Sequence, residues 1–81
     1  MIVRVQLFAR FRDSFGSDAI AVELPEPAQV SDLRSRVAMM NPEIAALLAR
    51  SQVAVNGEFV ADELALQSAD EIALIPPVSG G

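Results

Sequence analysis

Residues 19–40 read AIAVELPEPAQVSDLRSRVAMM, and within this stretch the period of the apolar residues changes. Ile20, Val22 and Leu24 alternate with small or charged neighbours, the two-residue repeat of a half-buried strand. Pro25 and Pro27 end that strand, because proline has no N–H to give to a ladder. Val30, Leu33 and Val37 then recur at three- and four-residue spacing, with Met40 three further on. That is the stripe of an amphipathic helix, and Arg34, Ser35 and Arg36 fall on its other faces. A strand feeding a helix across two prolines predicts an α+β layer, helix on sheet.

The flanking sequence extends the pattern. Residues 2–8, IVRVQLF, put Val3, Val5 and Leu7 on one parity and Arg4, Gln6 and Phe8 on the other. Phe11 and Phe15, four apart, suggest a short helical turn that Gly16 closes. Asn41 and Pro42 suit the N-cap and first position of a second helix, with Ile44, Leu47 and Leu48 as its apolar stripe. Residues 52–56, QVAVN, read as a strand with Val53 and Val55 inward, and Asn56-Gly57 is a hairpin signal. Glu58, Phe59 and Val60 begin the return. Residues 71–75, EIALI, are the last strand, with Ile72 and Leu74 inward. The first and last strands are the most apolar and are expected side by side at the centre of a mixed sheet. Met39 and Met40 are read as helix packing.

Composition restricts the chemistry. The 81 residues include no Cys, His or Lys, and six Arg face eleven acids for a net charge of −5. Nucleophilic Cys, a His base or metal ligand and a Lys Schiff base are therefore excluded. An acidic chain with scattered Arg is a poor partner for nucleic acid. The paired acids Asp62-Glu63 and Asp70-Glu71 are read as solvated charge, not as acid–base or metal sites, because neighbours in a strand point to opposite faces. No metal ligand set and no bound cofactor are expected. The N-terminal segment lacks the roughly 7–15 residue apolar core of a signal peptide, and no apolar run approaches the ~20 residues of a membrane span. The expectation is a single cytoplasmic domain over residues 1–75.

Residues 76–81, PPVSGG, form an extended tail. Pro76 stops strand pairing, and Pro-Pro stiffens the chain as it leaves the body. Ser79, Gly80 and Gly81 follow with almost no side chain, so a narrow pocket can close around backbone. Six residues reach at most ~20 Å. A frayed terminus is the plain alternative. In a chain without Cys, His or Lys, the reactive group, if there is one, is the main-chain carboxylate of Gly81, which a partner could adenylate with ATP.

Residues 70–81, DEIALIPPVSGG, resemble the C-terminus of the sulfur-carrier small subunit of molybdopterin synthase (the MoaD type). Residues 5–8 with Ala9 and Arg12 resemble that family's first strand and turn, and Ala54-Val55-Asn56 with Phe59-Val60 its middle hairpin. Ser68 and Ala69 precede Asp70 where the family usually has Gly. The resemblance covers the whole chain. It implies a ubiquitin-like β-grasp fold, a mixed sheet covered by one main helix plus short helices. It implies that Gly81 is adenylated by an E1-like, ATP-using enzyme and converted to a thiocarboxylate with sulfur from a donor protein. The tail then enters the synthase large subunit, within a heterotetramer of two small and two large subunits. There sulfur passes to precursor Z to build the molybdopterin dithiolene.

On this resemblance Gly81 carries the sulfur, Gly80 threads the channel, and Pro76, Pro77, Val78 and Ser79 form the arm along the large subunit. Phe8, Phe59 and Ile75 match apolar anchors against partners. For Phe8 the choice between anchor and core stays open; Phe59 leans toward the interface, and Ile75 lies off the parity of Ile72 and Leu74. The chain would have no catalytic side chains of its own and would be the sulfur-donating part of a sulfurtransferase complex. A thiamine-type sulfur carrier, a ubiquitin-like modifier joined through Gly81 to lysines, and a plain interaction domain are the competing readings. The helical segment at residues 41–50 and the PPVSGG arm speak against the thiamine type.

Overall fold

The computed structural model describes residues 1–78. The alternating segments form strands β1 (Ile2–Leu7), β2 (Ala19–Glu23), β3 (Gln52–Val55), β4 (Glu58–Val60) and β5 (Ile72–Ile75). The helical stretches form α1 (Arg10–Phe15), α2 (Val30–Met40) and α3 (Ala45–Ala49), with a 3-10 turn over Pro42–Ile44 leading into α3. The five strands make one sheet in the order β2-β1-β5-β3-β4. β1 and β5 run parallel, with Val5 beside Ile72 and Leu7 beside Leu74, while the other pairings are antiparallel. The first and last strands thus lie together inside the sheet, as the sequence suggested.

Inward residues all come from the expected parity. Val3, Val5, Leu7, Val22, Val53, Val55, Ile72 and Leu74 are buried against Val30, Leu33 and Val37 of α2 and Ile44, Leu47 and Leu48 of the segment after it. α1 has six residues, too few to be stable alone. Phe11 holds it: its ring is fully buried, and Gly16 closes the helix in the left-handed conformation with its N–H donating to the Arg12 carbonyl. Losing a buried ring of this kind costs about 3–5 kcal/mol. A chain of this length has a total stability of only about 4–12 kcal/mol.

The ends of α2 correct one expectation. At the N-terminus the Asp32 carboxylate accepts from the Gln29 N–H at 2.8 Å, and the Ser31 and Val30 N–H groups donate to the Asp62 and Leu64 carbonyls at 2.9 and 3.0 Å. The first turn is therefore tied to the strand-like connection between β4 and β5. At the C-terminus, Met39 and Met40 are 72% and 46% exposed and do not pack as the sequence reading held. The apolar stripe continues to Met40, but the core beneath it ends at Val37 and Ala38, so the last turn of α2 projects into solvent. Among the described residues no helix is long and apolar enough to cross a membrane.

Candidate interaction face and tail

Alternation in the strands places a second set of residues on the sheet face opposite the buried core. Arg4, Gln6 and Phe8 come from β1 and its end, Ala73 and Ile75 from β5, Gln52 and Ala54 from β3, and Phe59 from β4. The register aligns them in rows. Gln6, Ala73, Ala54 and Phe59 form one row, since each is the cross-strand partner of the next. Ile75 pairs with Gln52, and Phe8 follows directly on the Leu7–Leu74 pair, so Phe8, Ile75 and Gln52 form the next row.

Phe8 is 43% and Phe59 62% exposed, so both lie on the surface and outside the core. Ile75 is only half-buried and less open than its parity suggested. Phe8 and Phe59 are three strands apart, roughly 15 Å at ordinary strand spacing, with Ala73, Ala54, Ile75 and Gln52 between them.

The tail is rooted in this face. β5 is paired on both sides, to β1 and to β3, and its pairing stops at Ile75 because Pro76 has no N–H to donate. Pro76 is half-buried, Pro77 is exposed, and Val78 is 93% exposed. The chain therefore leaves the body in three steps from the central strand of the sheet, beside Phe8 and Gln52. The assignments on Ser79, Gly80 and Gly81 lie outside the described residues.

Three groups, two near this face and one on the helix side of the sheet, have roles beyond what the sequence showed. Ala9, next to Phe8, has φ 50° and ψ −122°, a left-handed conformation rare for a residue with a Cβ. Asn56 also has positive φ, and its side chain does more than turn the hairpin. Its Oδ1 accepts from the Glu71 N–H at 2.9 Å and its Nδ2 donates to the Asp70 Oδ1 at 3.1 Å, which ties the hairpin to the start of β5. Arg34 is the third. It is largely buried and donates to Asp62 and to two main-chain carbonyls. Asp62 and Asp70 are thus structural partners and not simply solvated charges. Among the described residues no group of three or more acids converges as a metal site.

Residues 5–81 match the ThiS family. The chain is 37% identical over 81 residues to the molybdopterin synthase sulfur carrier subunit of Dictyostelium discoideum, covering 96% of this chain and 94% of that one. Among solved structures it is similar to a putative molybdopterin converting factor, subunit 1, from Pyrococcus furiosus, at 32% identity and a TM-score of 0.87, covering 96% and 99% of the two chains. It is also similar to SAMP1, small archaeal modifier protein 1, from Haloferax volcanii, at 29% identity and a TM-score of 0.85 over the full length of both. The fold is the ubiquitin-like β-grasp.

Proposed function

The chain belongs to the ThiS family, and from that premise we propose that it is the sulfur carrier subunit of a molybdopterin synthase. One observation carries the reading: the match runs through residue 81, so it includes the PPVSGG tail of a chain that has no Cys, His or Lys. Such a chain contributes to sulfur transfer through its main-chain carboxylate.

The chemistry runs in three steps on Gly81. A carboxylate oxygen attacks the α-phosphorus of ATP in an E1-like activating enzyme, and pyrophosphate leaves. The outer sulfur of a donor protein's persulfide then attacks the acyl carbon and AMP leaves; a second thiol cleaves the resulting acyl disulfide, forming a disulfide with the donor's own sulfur, and the thiocarboxylate is released. Residues 76–81 act as an arm separate from the 1–75 domain and enter the synthase large subunit, where the sulfur passes to precursor Z. Gly80 and Gly81 allow a close-fitting channel, since no Cβ intrudes. Pro76, Pro77, Val78 and Ser79 lie along it. Phe8, Phe59 and Ile75 dock the sheet face, in a heterotetramer that works in the cytoplasm. A root held by pairing on both sides of β5 supports this reading, because an arm with a fixed origin loses less freedom on entering a channel.

The test is intact-mass measurement after incubation with the cognate activating enzyme, ATP and a sulfur donor. A gain equal to sulfur replacing oxygen is expected, and it should vanish when Gly81 is deleted. Absence of the gain with an active enzyme would overturn the carrier reading.

The likeness to SAMP1 favours a second reading, a protein modifier joined through Gly81 to amines of other proteins. The two separate on product: covalent adducts on target lysines, with no transfer of sulfur to precursor Z, would select the modifier.

A further inference from the structure

Ala9 occupies a backbone conformation that stability alone would give to glycine. Its φ of 50° and ψ of −122° are those of the first central residue of a type II′ turn, a position dominated by glycine because a Cβ there is strained. The turn is closed as that type requires, with the Phe11 N–H donating to the Phe8 carbonyl at 3.1 Å. The Ala9 carbonyl then accepts from Asp13 at 3.1 Å to start α1. None of these bonds needs the methyl group.

Nor does the methyl repay its strain inside the chain. Ala9 is exposed, and it belongs neither to the core cluster nor to the partly buried residues around it. Its neighbours in sequence carry opposite duties: Phe8 is exposed on the open face beside Ile75, and Phe11 is fully buried. The turn at Ala9 is the point where the chain passes from that face into the core, alongside the root of the tail. Sparsely populated conformations persist where something else repays them, often at binding sites.

We propose that Ala9 is a contact residue of the surface that docks the tail-accepting partner, at the turn next to Phe8 and the root of the tail. The proposal rests on the sulfur-carrier reading, which supplies the synthase large subunit as the occupant. It makes two predictions of opposite sign for one substitution. Ala9→Gly relieves strain, so the folding equilibrium should shift about two- to fivefold toward the native state, net of the extra freedom glycine gains when unfolded. The same change removes a methyl from the interface and loosens Phe8, so affinity for the large subunit should fall about three- to tenfold. Ala9→Ser keeps the Cβ and should bind within about twofold of wild type.

The experiment combines urea unfolding of the full chain with calorimetric titration against the purified cognate large subunit. The proposal is overturned if Ala9→Gly is no more stable than wild type, if it binds with unchanged affinity, or if Ala9→Ser binds as weakly as Ala9→Gly. Should the wild-type chain itself fail to bind a large subunit that is folded and active with its own carrier, the carrier reading falls and the contact falls with it. Wild-type binding with an indifferent glycine variant removes only Ala9.

Discussion

Arg34 donates from Nε to the Oδ1 of Asp62 at 2.8 Å, and its two terminal nitrogens donate to the Leu48 and Ser51 carbonyls at 2.7 and 2.8 Å. One guanidinium therefore joins the middle of α2, the end of α3, the approach to β3 and the connection that precedes β5. The Asp62 carbonyl also accepts from the Ser31 N–H at 2.9 Å, so the same connection is held at two points. Arginine suits this place because its planar fork presents several donors in fixed directions.

Replacing Arg34 by Met keeps the stem and removes every donor, taking the guanidinium from the partly buried Ser51 carbonyl and leaving the Leu48 carbonyl with the Ser51 N–H at 3.1 Å. A loss of about 2–3 kcal/mol is expected from urea unfolding. Asp62→Asn should cost less, about 1 kcal/mol or below, since the Asp62 side chain is 53% exposed. An Arg34→Met variant as stable as wild type would mean that the staple is idle.

Asn56 gives a second stability prediction. Asn56→Asp deletes the donor that faces Asp70 and sets one carboxylate against another, while Asp70 also accepts from the Gln67 N–H at 2.8 Å. The single variant should lose about 1–2 kcal/mol. Adding Asp70→Asn restores a donor between the two side chains and should recover part of the loss in a double-mutant cycle. Strict additivity of the two substitutions would refute the coupling.

The exposed phenylalanines separate binding from folding. Phe8→Ser and Phe59→Ser change side chains outside the core cluster, so stability should stay within about 0.5 kcal/mol. Affinity for the synthase large subunit should fall about tenfold or more for a residue that anchors the interface. Unfolding of either variant would assign that ring to the core; unchanged affinity would remove it from the docking face.

For the two methionines the prediction is a small effect. With Met39 at 72% and Met40 at 46% exposure, changing both to Gln should leave the unfolding midpoint nearly unmoved, within about 0.5 kcal/mol. A larger loss would show that the last turn of α2 does pack.

Most of the fold was legible because it rests on local periodicity. Strand parity picked out Val3, Val5, Leu7, Val53, Val55, Ile72 and Leu74, all buried, and the three-four spacing marked α2 from Val30 to Met40. Parity took Phe8 off the core side but left anchor and core open, and the turn signal only leaned Phe59 outward; their exposure in the fold put both on the surface. Met40 misled because a helical stripe tells which way a side chain points and not where the sheet beneath it ends. Arg34 did carry a weak signal, lying four residues after Val30 and three before Val37 at the flank of the stripe. Its acceptors at Leu48, Ser51 and Asp62 are 14, 17 and 28 residues away, beyond any local pattern.

Residue order alone determined the alternation of the strands, the period of the main helix, the absence of Cys, His and Lys, and a proline-glycine tail. Those properties depend on the chain's own covalent pattern. Tertiary structure decided that β1 and β5 run parallel and in which register, that Phe8, Ile75 and Phe59 share one open face, and that Ala9 holds a strained turn between that face and the core. These depend on which distant segments meet, because hydrogen-bond register and the limits of a packed core are set across the sheet and not along the chain.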